Sequence, residues 1–350
     1  MTQEYLEPVI CAPWHTPPPT ALPLANSGSF FNTVNLATRA SNNTVQRRQI
    51  PVTHLTGDLK SRAEQFTQIP PPVANLNSRT TLVMSIINLT PDSFHPPSRA
   101  RTDDIPQLAE KHISDGADIL DLGAESTRPG AQEITPEQEW RRLQPALASL
   151  RQTKPAPVIS IDTRKPELFA AAANNGAQIL NDISGFTRPD ALKHAAELVN
   201  TRPVWLVCMH SQGTPETMQN DPRYHDVTAD IHDWFSARLA AMEIAGIPRQ
   251  RVILDPGFGF GKTLEHNLAL LRNLAAFCNL GCPVLAGLSR KSWIGRIDPH
   301  PDAQSPAGRL AGSVSAAVVA AAHGASILRV HDPRETRQAL AVLDALRAGS

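Results

Sequence analysis

The chain has 350 residues with 33 Lys and Arg against 33 Asp and Glu, so its zero net charge gives no field to attract nucleic acid or an anionic membrane surface. Its four cysteines show no metal-ligand spacing, which favours reduced thiols in a reducing compartment. The apolar run 314–323 is too short to span a bilayer and predicts a buried helix. We therefore expect no nucleic-acid partner and no membrane partner.

Residues 1–79 differ in composition from the rest of the chain. Pro triplets at 17–19 and 70–72 punctuate a stretch rich in Thr, Asn and Ser, with few sustained apolar periodicities. We predict a poorly ordered, mostly disordered extension or linker that is dispensable for chemistry. No acidic residue lies between Glu7 and Asp58, a weak feature of organellar transit peptides. A cytoplasmic and a mitochondrial location are therefore both open.

From residue 80 onward, eight short apolar runs each end on polar residues. The runs are rich in Val, Ile and Leu and do not alternate in polarity, as expected of strands buried on both faces. Stretches long enough for helices lie between them, including 136–151, 166–174, 264–276 and 333–347. Eight strand–helix units predict an α/β fold, a (β/α)₈ TIM barrel over 80–350. Such barrels carry their active sites at the C-terminal ends of the strands, so we expect an enzyme.

The ends of the first two predicted strands carry residues suited to anions and hard cations. Asn88 begins the sequence NLTPDSF, and an amide oxygen at a strand end can bind Mg²⁺. Arg128, in the loop sequence ESTRPG, can offer its planar guanidinium to phosphate oxygens. Asp121 lies within the second strand, where a carboxylate needs a polar partner. It has either a structural role in the fold or a role in contacting the ligand.

Strands three, four and six end at Asp162, Asn181 and Asp255. In a closed barrel these side chains converge, and two carboxylates with one carboxamide suit a flat heterocycle that presents N–H groups. A divalent metal site is an alternative, although no HxH or HExxH pattern supports it. A third interpretation is that either Asp caps a helix N-terminus.

The last three units add a glycine-rich loop and cationic side chains. The sequence DPGFGFGKT has Pro256 where a P-loop needs Gly, so we expect its glycines to allow a tight turn or close approach to a ligand. Lys291 follows strand seven and can donate to a carbonyl or ring nitrogen. Arg329 and His331 lie two residues apart on strand eight, hence on one face, near where barrels often bind phosphate.

Seven motifs in order resemble those of the dihydropteroate synthases over residues 80–348. They are NLTPDSF, ESTRPG, SIDTRK, ILNDISG, DPGFGFGK, GLSRK and RVHD. This resemblance implies a barrel that condenses 6-hydroxymethyl-7,8-dihydropterin diphosphate with p-aminobenzoate, giving 7,8-dihydropteroate and pyrophosphate in folate biosynthesis. It also implies Mg²⁺, competition by sulfonamides and a homodimer.

The resemblance assigns a role to each matching residue. The pterin would contact Asp162, Asn181, Met209, Asp255, Phe260, Lys291 and Arg329. The diphosphate would contact Asn88, Arg128, Arg329 and His331, with Mg²⁺ held at Asn88. The p-aminobenzoate side would be formed by Thr127, Pro129, Phe260 and Ser289. Those with catalytic roles would be Asn88, Arg128, Asp162 and Lys291.

Two segments depart from the family pattern. His95–Ser98 reads HPPS where the family has Ser-Asp-Gly-Gly, which replaces flexible glycines by two fixed φ angles. Gly123-Ala124 replaces a Gly-Gly pair. An active synthase, a methyltetrahydrofolate methyltransferase-like barrel and a pterin-binding paralogue without turnover are therefore the three interpretations. Residues 1–79 are also too short for a fused pyrophosphokinase or aldolase, and are compatible with the remnant of such a fusion.

Overall fold

The computed structural model describes residues 3–11, 15–25, 27–77, 79–89, 105–125, 133–154, 156–213 and 217–348. Within the N-terminal part, β1 (Gln3–Pro8), β4 (Thr33–Arg39) and β5 (Val45–Pro51) form an antiparallel sheet in the order β1-β4-β5. A second, two-stranded sheet pairs β2 (Leu22–Pro23) with β3 (Phe30–Phe31). A 3₁₀ helix (Val52–His54) and α1 (Gly57–Gln65) follow.

The N-terminal sheets and α1 enclose a small core. It contains Leu6, Leu24, Phe31, Val34, Leu36, Leu55, Ala63 and Phe66, together with Ala275 of the barrel domain. The expectation of a mostly disordered extension is therefore corrected for the described residues. The apolar side chains come from short, separated segments, so no single window of the sequence shows a sustained period. Their partners are set by chain pairing over long sequence distances, which periodicity does not report.

The predicted barrel is confirmed. Its parallel strands are β6 (Leu82–Asn88), β7 (Ile119–Gly123), β8 (Val158–Asp162), β9 (Ile179–Asp182), β10 (Trp205–Met209), β11 (Val252–Asp255), β12 (Leu285–Ala286) and β13 (Ile327–Val330). The sheet order is β11-β10-β9-β8-β7-β6-β13-β12. A parallel bridge between Leu254 and Val284 joins the two ends of this sheet and closes the barrel.

Helices surround the strands. They are α2 (Ile105–Ser114), α3 (Pro136–Leu150), α4 (Pro166–Asn174), α5 (Pro189–Thr201), α6 (Val227–Ile244), α7 (Leu264–Arg272), α8 (Ser292–Ile297), α9 (Leu310–Ala322) and α10 (Pro333–Ala348). Short 3₁₀ helices span Arg249–Arg251, Leu274–Leu280, Pro301–Gln304 and Ala307–Arg309. Pro begins α3, α4 and α5, where a missing N–H costs nothing.

The helices predicted from the sequence are present. Those expected at 136–151, 166–174 and 333–347 are α3, α4 and α10, and the buried helix expected near 314–323 is α9. The stretch 264–276 divides into α7 and a 3₁₀ helix. Among the described residues, no helix is both long and apolar enough to cross a membrane.

Alternating strand residues divide between two apolar layers. Val83 and Leu120 face the helices, whereas Met84 and Ile119 point into the barrel. At the N-terminal end of the strands, Val73 and Ala74 close the barrel interior from below. The interior is thus filled by apolar side chains towards the N-terminal ends of the strands. The polar side chains of the interior lie towards the C-terminal ends.

Candidate active site

Asp162, Asn181, Asp121 and Arg329 come together inside the C-terminal end of the barrel. The Arg329 guanidinium donates to Asp121 Oδ2 at 2.6 Å and to Asp162 Oδ2 at 2.7 Å. Asn181 Nδ2 donates to Asp121 Oδ2 at 3.4 Å. The predicted convergence of Asp162 and Asn181 is thus observed, with Asp121 as an additional carboxylate. Sequence reasoning left Asp121 between a structural and a ligand-facing role, because its partner lies 208 residues away.

Arg329 and Asp162 influence each other's protonation. Burial raises the pKa of Asp162 to about 7, and the Arg329 guanidinium opposes that rise. Burial lowers the pKa of Arg329, but the two carboxylates together outweigh this effect and raise it above its ordinary value. Since the Arg329 guanidinium binds two carboxylates in this structure, its contact with a diphosphate stays a prediction.

Asp255 lies at the end of β11 and is 5% exposed. Its Oδ1 accepts a hydrogen bond from the Gly257 amide at 2.8 Å, and burial raises its pKa. Neither Asp255 nor Asp162 caps a helix, since the following helices begin after Lys165 and Thr263. The capping interpretation is therefore wrong for both.

The glycine-rich loop, residues 257–262, turns tightly against the neighbouring strand end. Gly257 has φ +70°, and a Cβ there would lie 2.0 Å from the His210 carbonyl oxygen. At Gly259, with φ +79°, a Cβ would lie 3.2 Å from the Lys291 side chain. Close approach of backbone and side chains thus explains both glycines. The loop places the Phe260 ring 4.2 Å from the Lys291 ammonium.

Arg290, the residue directly before Lys291, has an unusual backbone conformation. Arg290 has φ +56°, a left-handed value that a non-glycine residue adopts only when its surroundings hold it. Its guanidinium donates to both oxygens of Asp332, at 2.9 and 2.6 Å, and to the Pro306 carbonyl at 2.7 Å. Burial lowers the pKa of Lys291 to about 8, with Arg329 as a second cause. The contacts that Arg290 makes with Asp332 and Pro306 were not predicted from the sequence.

A second buried lysine, Lys262, was not predicted as a site residue. Its ammonium lies 3.1 Å from His210 Nδ1 and donates to the Phe260 carbonyl at 2.9 Å. Burial lowers the pKa of Lys262 to about 7, and burial with the nearby Lys262 lowers that of His210 to about 2. Lys262 is the lysine of the DPGFGFGK sequence. The sequence analysis considered this lysine only as part of a P-loop, which the sequence does not match.

Ser289, His331 and Met209 are also placed at this end of the barrel. Ser289 Oγ lies 3.0 Å from His331 Nδ1 and accepts from the His331 amide at 3.2 Å. Met209, at the end of β10, is buried against the Gly257 turn. Thr127, Arg128, Pro129 and the His95–Ser98 segment lie outside the described residues, so their predicted roles stay predictions.

Asn88 faces Asp162 across Gly123. A Cβ on Gly123 would lie 3.9 Å from Asn88 Oδ1 and 3.8 Å from Asp162 Oδ2, so the two side chains lie on either side of this glycine. In the part of the chain that the structure describes, no group of three His, Cys, Asp or Glu side chains could hold a metal by itself. Mg²⁺ commonly takes one or two protein oxygens and completes its shell with water and substrate phosphate, which fits Asn88.

An ion-pair network lies where the ESTRPG segment leaves β7. Lys165 donates to Glu125 at 2.8 Å and to Glu139 at 2.7 Å, and Glu139 is fully buried. Glu125 also accepts from the Ile134 amide at 3.1 Å. Sequence reasoning missed Lys165, although it stands in the SIDTRK motif.

Comparison with known proteins agrees with this geometry. The model of a family described as pterin binding enzyme matches residues 84–331. The chain belongs to the pterin-binding enzymes. A dihydropteroate synthase of Escherichia coli (strain K12) is 46% identical to this pterin-binding enzyme over 267 residues, which cover 75% of this chain and 90% of the relative.

Solved structures support the same relationship. A Yersinia pestis dihydropteroate synthase with a sulfonamide drug complex superposes with a TM-score of 0.72 and 36% identity, covering 79% of this pterin-binding enzyme and 97% of that chain. A Burkholderia cenocepacia dihydropteroate synthase complexed with 7,8-dihydropteroate has a TM-score of 0.70 and 40% identity, covering 80% and 98%. The predicted family is confirmed.

Proposed function

We propose that this pterin-binding enzyme is a dihydropteroate synthase of folate biosynthesis. It joins 6-hydroxymethyl-7,8-dihydropterin diphosphate to p-aminobenzoate, giving 7,8-dihydropteroate and pyrophosphate. The observation that carries the proposal is the convergence of Asp162, Asn181, Asp255 and Lys291 at one end of a barrel from the pterin-binding family. The relative solved with 7,8-dihydropteroate supports the product, and the one with a sulfonamide supports sulfonamide competition.

Asp255 and Asn181 supply acceptors for the N–H groups of the amino-pyrimidinone edge of the pterin. Lys291 donates to the pterin carbonyl or a ring nitrogen. Its ammonium and the Phe260 ring lie 4.2 Å apart, so that both can line one wall of the pocket. The buried carboxylates are strong acceptors because they are shielded from water.

The reaction needs no protein nucleophile. The bond between the exocyclic methylene carbon and the diphosphate oxygen breaks, and the electron pair leaves with pyrophosphate. The p-aminobenzoate nitrogen forms the new bond to that carbon and then loses a proton. Asp162, in its carboxylate form, stabilises positive charge that develops on the pterin. Arg329 holds that carboxylate at 2.7 Å and fixes its position.

Asn88 would hold Mg²⁺ together with oxygens of the diphosphate, and Arg128 and His331 would contact the same group. When bound, Mg²⁺ neutralises charge on the departing pyrophosphate. We also propose that the enzyme acts as a homodimer, as its resemblance to the family implies.

A coupled assay of pyrophosphate release tests the function. The full chain should release pyrophosphate from the pterin diphosphate only when p-aminobenzoate is present. Release without p-aminobenzoate would indicate hydrolysis, and pterin binding with no release under either condition would favour a paralogue without turnover.

A further inference from the structure

The N-terminal sheet contacts the barrel at the start of α6. Arg39 donates to Asp230 at 2.6 Å, and Arg47 donates to Asp226 at 2.7 Å. Arg47 also binds both oxygens of Glu7 at 2.8 Å, and the Glu7 side chain is 2% exposed. Such a two-oxygen contact fixes the guanidinium geometry of Arg47 within its own sheet. Arg39 lies over the Tyr5 ring of the same sheet, with its guanidinium carbon 5.6 Å from the ring centroid.

The carboxylates that receive these arginines also organise the chain around the first turn of α6. Asp226 is the N-cap residue, and its Oδ1 accepts from the Ala229 amide at 3.0 Å. Asp230 Oδ2 accepts from the His225 amide at 2.9 Å. Each carboxylate therefore has one oxygen on an arginine of the N-terminal sheet and the other on the backbone at the start of α6.

The segment before α6, residues 217–225, lies against the glycine-rich loop. Gln219 Nε2 donates to the Gly259 carbonyl at 2.6 Å, and Tyr224 Oη donates to the Gly261 carbonyl at 2.9 Å. The residue between these two glycines is Phe260, which faces Lys291 in the pterin pocket. The contacts thus form a continuous path from Arg39 and Arg47 to a wall of the pocket.

We propose that Arg39 and Arg47 are positioning residues for pterin binding. They hold the start of α6 and residues 217–225, which in turn hold the glycine-rich loop in its binding geometry. The matched family model begins at residue 84, so both arginines lie outside the part shared with the family. This inference rests on the proposed function and adds a chain-specific support to its pterin site.

The test compares full-length variants. Arg39→Ala with Arg47→Ala removes both contacts, and Arg48→Ala is the matched control. Arg48 lies next to Arg47 on β5 and is exposed. It has no ion pair with any residue that the structure describes. We expect the double variant to raise KM for the pterin diphosphate roughly threefold to tenfold, a size typical of coupling through a packed network. Calorimetry should show pterin affinity weakened by the same factor, with kcat and the p-aminobenzoate KM nearly unchanged.

Arg39→Lys alone should keep pterin affinity close to that of the wild type, because a lysine can keep the single charged contact with Asp230. A double variant with wild-type pterin KM, or with the same change as the Arg48 variant, overturns the proposal. A fall in kcat alone at unchanged KM also overturns it, since that result means loss of folded enzyme. If the double variant does not fold, Arg39→Met alone is judged by the same KM comparison. A wild-type chain that neither turns over nor binds pterin refutes the proposed function, and this inference with it.

Discussion

Replacing Asp255 by Asn should weaken pterin binding while leaving the fold intact. Asp255 is 5% exposed, and its Oδ1 is used by the Gly257 amide at 2.8 Å. Gly287 lies close to the second oxygen, since a Cβ there would be 3.9 Å from Oδ2, and the proposed function assigns this oxygen to the pterin. An asparagine can keep the first contact, but it presents an NH₂ group where the pterin also presents a donor.

The expected loss follows from the cost of burying unsatisfied polar groups. One such group costs about 1–3 kcal/mol, and more when charge is involved. We therefore expect at least a tenfold loss of affinity, since about 1.4 kcal/mol corresponds to a factor of ten. Calorimetric titration with a pterin analogue measures it, and thermal unfolding checks the fold. Asp190→Asn, at an exposed position in the first turn of α5, is the control. Unchanged affinity in the Asp255 variant would refute the assignment.

Three further outcomes are expected. Lys165→Met should lower the free energy of unfolding by about 3–5 kcal/mol in urea titrations, because it leaves the fully buried Glu139 carboxylate without its cation; a loss below about 1 kcal/mol contradicts this. Burial raises the pKa of Asp162 to about 7 and lowers that of Lys291 to about 8, so kcat/KM should rise as Asp162 ionises, peak between these values, and fall as Lys291 loses its proton. A flat profile across both values would be inconsistent with their roles. A chain beginning at Pro70 keeps Val73 and Ala74, which pack inside the barrel, but exposes Ala275, which packs against the N-terminal core. This shorter chain should therefore have a lower melting temperature than the full chain. An equal melting temperature and full activity would instead support the expectation that 1–79 is dispensable.

Local sequence features predicted the barrel and most of its strand ends. Each buried strand is a short apolar run. The polar residue at its end lies at the site because all the parallel strands end on the same side of the barrel. Asp162, Asn181 and Asp255 could therefore be placed together without knowledge of register. The seventh apolar run, PVLAGL at 283–288, is longer than the strand that it forms. Only Leu285–Ala286 is regular strand, and Val284 before it makes an isolated parallel bridge to Leu254.

Pairings between distant side chains could not be predicted in the same way. Arg329 was assigned to the pterin ring and the diphosphate, and its ion pairs with Asp121 and Asp162 were not predicted. Which strand residues point inward together depends on register around the closed barrel. The same limit applies to Lys165 with Glu139. It applies as well to the N-terminal core, whose apolar residues are scattered over 6–66 and meet only after the strands pair.

The synthase assignment is tested most directly by following the bridging oxygen of the substrate. The pterin diphosphate is prepared with ¹⁸O between the methylene carbon and phosphorus, then incubated with p-aminobenzoate and the full chain. Mass spectrometry should find 7,8-dihydropteroate without the label and pyrophosphate carrying it, because the carbon–oxygen bond breaks. Labelled hydroxymethyl-dihydropterin, with no dihydropteroate formed, would contradict the assignment.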